Sequence, residues 1–210
     1  MLDSIEDKQD LWLVMELCGK PLSKEMFEVK GEFYRGERIY SVIHKREVYD
    51  FFEDEECLKF KEFISGMAQV LDLFSEAGIV HSDLKPENIL LSMNEEGLMF
   101  KVIDLGSSFP LQKAAQYLEL TTPEYLAPEI LDYVDSKQTM MAQGRISLAL
   151  KGDTLTNRMS PWSVDVWSLG AILLEMVLGF PLWLSYKGRI IKEGAEDHQT
   201  GTMMNGLFGT

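Results

Sequence analysis

Basic residues are scarce: 20 lysines and arginines face 34 aspartates and glutamates, for a net charge of −14. Nucleic acid and anionic membrane surfaces bind Lys/Arg-rich faces, so this balance argues against both as partners and favours basic proteins or peptides. Cysteine is nearly absent. Cys18 and Cys57 have neither metal-ligand spacing nor a Cys-rich framework around them. They read as free thiols in a reducing compartment, which makes the expected location cytoplasmic or nuclear. No apolar run is long and clean enough to cross a membrane. The most apolar stretch, residues 164–184, contains Asp165, Glu175 and Pro181 and suits a buried core helix better than a membrane span. The acidic start (Asp3, Glu6, Asp7, Asp10) lacks the basic and apolar regions of a secretory signal. No internal repeat is present.

What remains is an ordinary globular composition, 46% hydrophobic and 26% charged over 210 residues. That length makes one large domain or two small ones with a sizeable core. The apolar run Leu11-Trp12-Leu13-Val14-Met15-Glu16-Leu17, ended by Cys18-Gly19-Lys20-Pro21, predicts a buried strand and a turn. Residues 20–56 mix charges with scattered aromatics and predict short helices or an irregular connection. From Cys57 to Ala77 the positions Phe60, Phe63, Ile64, Met67, Val70, Leu71 and Phe74 recur at three and four. They predict an amphipathic helix stopped by Gly78. Ile89-Leu90-Leu91 and Met99-Phe100-Lys101-Val102-Ile103, separated by Asn94-Glu95-Glu96-Gly97, predict a hairpin. It ends in Asp104-Leu105-Gly106, where glycine permits an unusual backbone angle. Residues 132–160 lack a clear period and predict a surface insertion. Residues 163–178 are apolar nearly all round, as in a buried helix, with Ser160-Pro161 as its start signal and Gly179 as its stop. The residues after Gly188 predict a weakly structured tail.

Between the amphipathic helix and the hairpin lies His81-Ser82-Asp83-Leu84-Lys85-Pro86-Glu87-Asn88. Pro86 removes a backbone donor and biases Lys85 away from helical geometry, so these residues form a shaped loop. An acid, a base and an amide held there suit an anion, a metal and a hydroxyl together. This loop resembles the catalytic loop of eukaryotic protein kinases. Asp104-Leu105-Gly106 resembles the metal-binding triplet that opens their activation segment, and Thr122-Pro123-Glu124-Tyr125-Leu126-Ala127-Pro128-Glu129 resembles that segment's end. Ser163-Val164-Asp165-Val166-Trp167-Ser168-Leu169-Gly170 resembles the central helix of their C-lobe. Four motifs in order are a specific signal, and Lys85 and Thr122 point to the serine/threonine class.

The resemblance implies an α+β fold, protein-kinase-like, with a mostly helical C-lobe, a hinge strand and a catalytic-loop hairpin. Residues 1–188 would be a partial kinase domain and residues 189–210 a tail. It implies ATP and Mg²⁺ as cofactors and a protein substrate whose hydroxyl receives the γ-phosphate. Asp83 would be the catalytic base and Lys85 would neutralise the transferred phosphate. Asn88 and Asp104 would be magnesium ligands, both being the hard oxygen donors this ion prefers. Met15 would line the back of the adenine pocket. Glu16 and Cys18 would be hinge residues and Leu90 the apolar floor. Thr122 and Glu87 would face the substrate, with Glu87 meeting a basic residue. Asp165 would hold His81 and Ser82 through their backbone donors, and Glu129 would pair with a distant arginine.

Several features depart from the family pattern. Ser82 stands where an arginine usually grips a phosphorylated residue of the activation segment, so activity is expected not to need that phosphorylation. No Gly-rich phosphate loop precedes Leu11, and no strand lysine with a glutamate partner is found. The chain therefore reads as truncated, and the alternative is an inactive pseudokinase or interaction fragment. An exposed central helix would leave an apolar patch, an aggregation liability.

Overall fold

In the computed structural model, residues 3–53, 56–94, 97–117, 121–142, 162–184 and 189–192 are described. The chain opens with a two-stranded antiparallel ribbon, β1 (Asp3–Glu6) and β2 (Leu11–Val14). The buried strand expected at residues 11–17 is instead solvent-exposed throughout. Among the described residues no third strand and no covering layer join this ribbon, and a lone pair of strands buries little.

Gly19 then turns the chain at φ +39, with its Cα so close to strand β7 (Ile89–Asn94) that a Cβ would lie 2.0 Å from the Leu91 carbonyl oxygen. Only glycine fits there. The turn lets β3 (Lys20–Pro21) pair with β7, which pairs in turn with β8 (Gly97–Val102). The expected catalytic-loop hairpin is thus present.

Residues 20–56 are more regular than expected. Helix α1 (Leu22–Met26) leads into an antiparallel hairpin, β4 (Phe27–Tyr34) and β5 (Glu37–His44), and then helix α2 (Arg46–Phe52). Arg35 and Gly36 both have positive φ, 49° and 88°, as a two-residue turn matched to strand twist requires. Strand β10 (Arg189–Lys192) adds to β5 in parallel, so the tail expected to be weakly structured contributes a sheet edge.

Helix α3 (Leu58–Glu76) matches the periodicity and ends at Gly78, φ +67. It buries Phe63 and Met67 against Phe52 and the hairpin's Phe100, whose rings meet Phe63 at 5.9 and 5.2 Å. Strand β6 (Ile79–Val80) pairs with β9 (Phe109–Pro110), clamping the loop's entry to the segment after Asp104. Helix α4 (Ala114–Tyr117) follows. Helix α5 (Pro128–Ala142) occupies part of the expected insertion; the remainder, residues 143–160, lies outside the described residues, as does Ser160-Pro161. Helix α6 (Ser163–Leu178) has its predicted bounds and its Gly179 cap at φ +73. It is buried on one face only: Val164, Asp165, Ser168, Leu169, Ile172, Glu175 and Met176 point inward. Val166, Trp167, Leu174 and Val177 stand in solvent.

One core cluster joins α1, α2, α3, β7 and α6. A second joins β6, β9, α5 and the first turn of α6 through Val80, Phe109, Ile130 and Val164. The loop of residues 81–88 is where the two clusters meet.

Candidate functional site

Asp165 organises the loop from below. Its carboxylate, on a residue only 2% exposed, accepts hydrogen bonds from the backbone N–H of His81 and of Ser82, both at 2.8 Å. A buried acid is costly unless so bonded. Burial holds its carboxyl above the usual aspartate range, and the two amide donors pull it back. His81 is fully buried. Its Nδ1 accepts from the Asp83 N–H at 3.3 Å and its Nε2 lies 3.1 Å from the Ile103 carbonyl; the tautomer protonated on Nε2 satisfies both.

Three side chains close a triangle above this base. Lys85 Nζ donates to Asp83 Oδ2 at 2.7 Å and to Thr122 Oγ1 at 3.0 Å, while the Thr122 hydroxyl donates to Asp83 Oδ1 at 2.6 Å. These charge-assisted bonds place a carboxylate, an ammonium and a hydroxyl in mutual contact. Asn88 Nδ2 donates to the Asp83 carbonyl at 2.8 Å, so the amide oxygen is the atom that remains for a cation. Asp104 is exposed and joins through its neighbour: the Ile103 N–H donates to the Asn88 carbonyl at 2.9 Å. The unusual angle expected of Gly106 falls on Asp104 itself, at φ +64, and the Gly106 N–H donates to Asp104 Oδ1 at 3.2 Å. An aspartate tolerates this region because its short side chain bonds the local backbone. Among the described residues no cluster of three or more His, Cys, Asp or Glu side chains could hold a metal.

Glu16, Cys18 and Leu90 line one small cleft of about 110 Å³ together with Phe100 and Lys101. Lys101 pairs with Glu16. Their hydrogen bond holds the Glu16 carboxyl below, and the Lys101 ammonium above, its ordinary range. Met15 is not among the lining residues. It is 61% exposed, a correction to its expected place at a pocket's back wall, because the ribbon that carries it is uncovered. Glu87 is exposed on the rim of a separate groove. Glu129, in the first turn of α5, is exposed, and among the described residues it has no ion-pair partner.

Two features escaped sequence reasoning. Glu175, taken only as an interruption of an apolar run, is 1% exposed; it accepts from the Tyr125 hydroxyl and from the Leu182 N–H, each at 3.0 Å. Burial pushes its carboxyl up to about 7 despite those donors, and the Glu87 charge adds to the rise. Burial likewise raises Tyr49, whose buried hydroxyl has no partner among the described residues, to about 12. The signal was available, because Glu175 is as isolated an acid in α6 as Asp165. The second feature is Ser82 as a latch. Held at φ +64, it donates through Oγ to the Ser107 carbonyl and accepts on its own carbonyl from Thr121 Oγ1, both at 2.8 Å.

Comparison with known proteins matches this arrangement. Residues 1–205 match the protein kinase domain family. MAP kinase-interacting serine/threonine-protein kinase 1 of Xenopus tropicalis is 33% identical over 164 residues, covering 74% of this chain and 33% of that protein. The liver/testis phosphorylase b kinase gamma catalytic chain of Bos taurus is 32% identical over 147 residues, covering 68% and 31%. Calcium-dependent protein kinase 21 of Arabidopsis thaliana is 28% identical over 191 residues, covering 90% and 27%. The chain thus spans about a third of the length of the curated relatives it matches. With an α+β fold, a loop anchored on a buried helix acid, and this match along nearly its whole length, the chain belongs to the protein kinase family.

Proposed function

We propose that this chain carries the catalytic machinery of a serine/threonine protein kinase, which transfers the γ-phosphate of ATP to a protein hydroxyl. The observation that carries the reading is the hydroxyl already seated on Asp83. Thr122 Oγ1 donates to Asp83 Oδ1 at 2.6 Å with the Lys85 ammonium 3.0 Å away. A substrate hydroxyl in that seat would meet a carboxylate that accepts its proton and orients its lone pair. Such a base contributes roughly 10²- to 10⁴-fold. Lys85 would neutralise charge on the transferred group. Asn88 and Asp104 supply oxygen donors of the kind Mg²⁺ takes, so the donor set fits that ion. Bound Mg-ATP would bring the phosphoryl group and neutralise its oxygens. Glu16, Cys18 and Leu90, gathered in one cleft, would hold the adenine. Glu87 would meet a basic residue of the substrate, a reading that the chain's net charge of −14 supports. The free thiols of Cys18 and Cys57 support a reducing compartment, cytoplasm or nucleus.

A second reading, a non-catalytic interaction fragment, is favoured by one observation: every residue of β2 is exposed, so the hinge has no described roof. Thermal melting with and without Mg-ATP, alongside transfer of labelled phosphate to a basic protein, separates the two. The kinase reading expects a melting shift in both the wild type and Asp83→Asn, with transfer at least about 10²-fold lower in the variant. No shift and no transfer in either leaves the interaction fragment.

A further inference from the structure

A groove of about 530 Å³ separates the catalytic loop from the β4–β5 hairpin. Pro86 and Glu87 form its loop wall with Tyr125 beside them; Phe27, Glu28 and Val29, the first residues of β4, form the opposite wall. The three-stranded sheet runs in the order β10-β5-β4, so β4 is its edge, and among the described residues nothing pairs with the outer side of that strand. An open edge is a row of backbone donors and acceptors that a second extended chain can complete. Here the open edge also borders the active loop. Glu87 is four residues from Asp83 in a loop whose geometry is fixed by the Asn88-to-Asp83 hydrogen bond. The groove lies next to the seat of the acceptor hydroxyl: its wall residue Pro86 follows Lys85, and the Tyr125 N–H donates to the Thr122 carbonyl at 3.0 Å. Its lining suits a peptide better than a flat apolar molecule: Phe27 and Val29 alternate with Glu28 along one wall, and Lys24 and Lys45 also line the groove.

We propose that the extended segment flanking the acceptor hydroxyl of a protein substrate binds as an added strand along the outer edge of β4, between that strand and Pro86-Glu87. This rests on the kinase reading of Asp83, and it adds how the substrate is gripped. Backbone pairing supplies affinity that is blind to sequence, while side chains at every second position meet the groove floor or solvent. Selection would then fall on alternate residues of the flank.

The test uses the full chain and a fluorescein-labelled peptide with a central serine, read by anisotropy and by amide hydrogen exchange, neither of which needs phosphoryl transfer. N-methylation of alternate flank residues removes backbone donors. In the paired phase it is expected to weaken binding about tenfold for two lost bonds, and in the opposite phase hardly at all. Amides of residues 27–30 should exchange more slowly with peptide bound, with no change at the hairpin tip around Arg35. Equal effects of both phases, unchanged exchange at residues 27–30, or no binding of the peptide would overturn the proposal. Asp83→Asn keeps the failures apart. Edge protection that survives in the variant, with wild type failing to phosphorylate the peptide, would overturn the kinase reading and leave the groove assignment standing as a peptide site.

Discussion

Helix α6 buries two acids and treats them differently. Asp165 faces two backbone amides and serves to hold the loop; Glu175 faces one phenol and one amide, with the Glu87 charge as an unfavourable neighbour. The Glu175 carboxyl is pushed up to about 7 from 4.5 in the unfolded chain. Between those values the folded state binds more protons than the unfolded one, so stability is greatest below the lower value and is lost as pH rises through the upper one. The loss amounts to about 3 kcal/mol by pH 8. Asp165 is raised as well and acts in the same direction. Urea unfolding followed from pH 5 to pH 8 should show stability falling, and Glu175→Gln should flatten most of that slope and be the more stable chain at pH 8. A slope unchanged in the variant would assign the pH dependence elsewhere. Asp165 was legible in the sequence because a resemblance supplied its partner. Glu175 offered the same anomaly without one, and burial alone does not announce what an acid is bonded to.

At the scale of elements, α3, α6 and the β7–β8 hairpin were legible because their apolar residues repeat at the period of the structure they form. The β4–β5 hairpin was not. Its strands carry Glu28, Lys30, Glu32, Glu37 and Arg38 among the aromatics, and its turn is Arg35-Gly36, without the asparagine or aspartate that usually marks such turns. Helix α5 escaped because its latter half is polar, and β10 because its partner lies far away in the chain. Ser82 was expected to leave the segment from Ser107 to Thr121 without the arginine that grips a phosphate on it, and the structure adds what Ser82 does instead: it bonds both ends of the segment directly. Thr121→Ala should therefore cost about 1 kcal/mol, the worth of one hydrogen bond, and leave transfer within a few-fold of wild type. Transfer abolished in that variant, with Thr122 intact, would show that the segment needs its hydroxyl for a phosphate.

Considered whole, the molecule leaves two apolar surfaces uncovered among the described residues. One is the ribbon, with Leu11, Trp12, Leu13 and Met15; the other is the outer face of α6, with Val166, Trp167, Leu174 and Val177, the last 68% exposed. Patches of this kind promote association. Sedimentation velocity should show concentration-dependent self-association that Trp167→Lys and Val177→Glu together reduce, with helix content unchanged. A wild-type chain monomeric at all concentrations would contradict this. The pairing of β10 with β5 bears on a different matter, the order of events at the ribosome. Arg189 aligns with Ile39, about 150 residues earlier, and contacts so far apart form late. The hairpin can close as soon as it emerges, but its β5 edge must wait until Lys192 has been made. During that interval a nascent protein displays an unpaired edge, and chaperones or neighbouring chains have their longest opportunity to reach it.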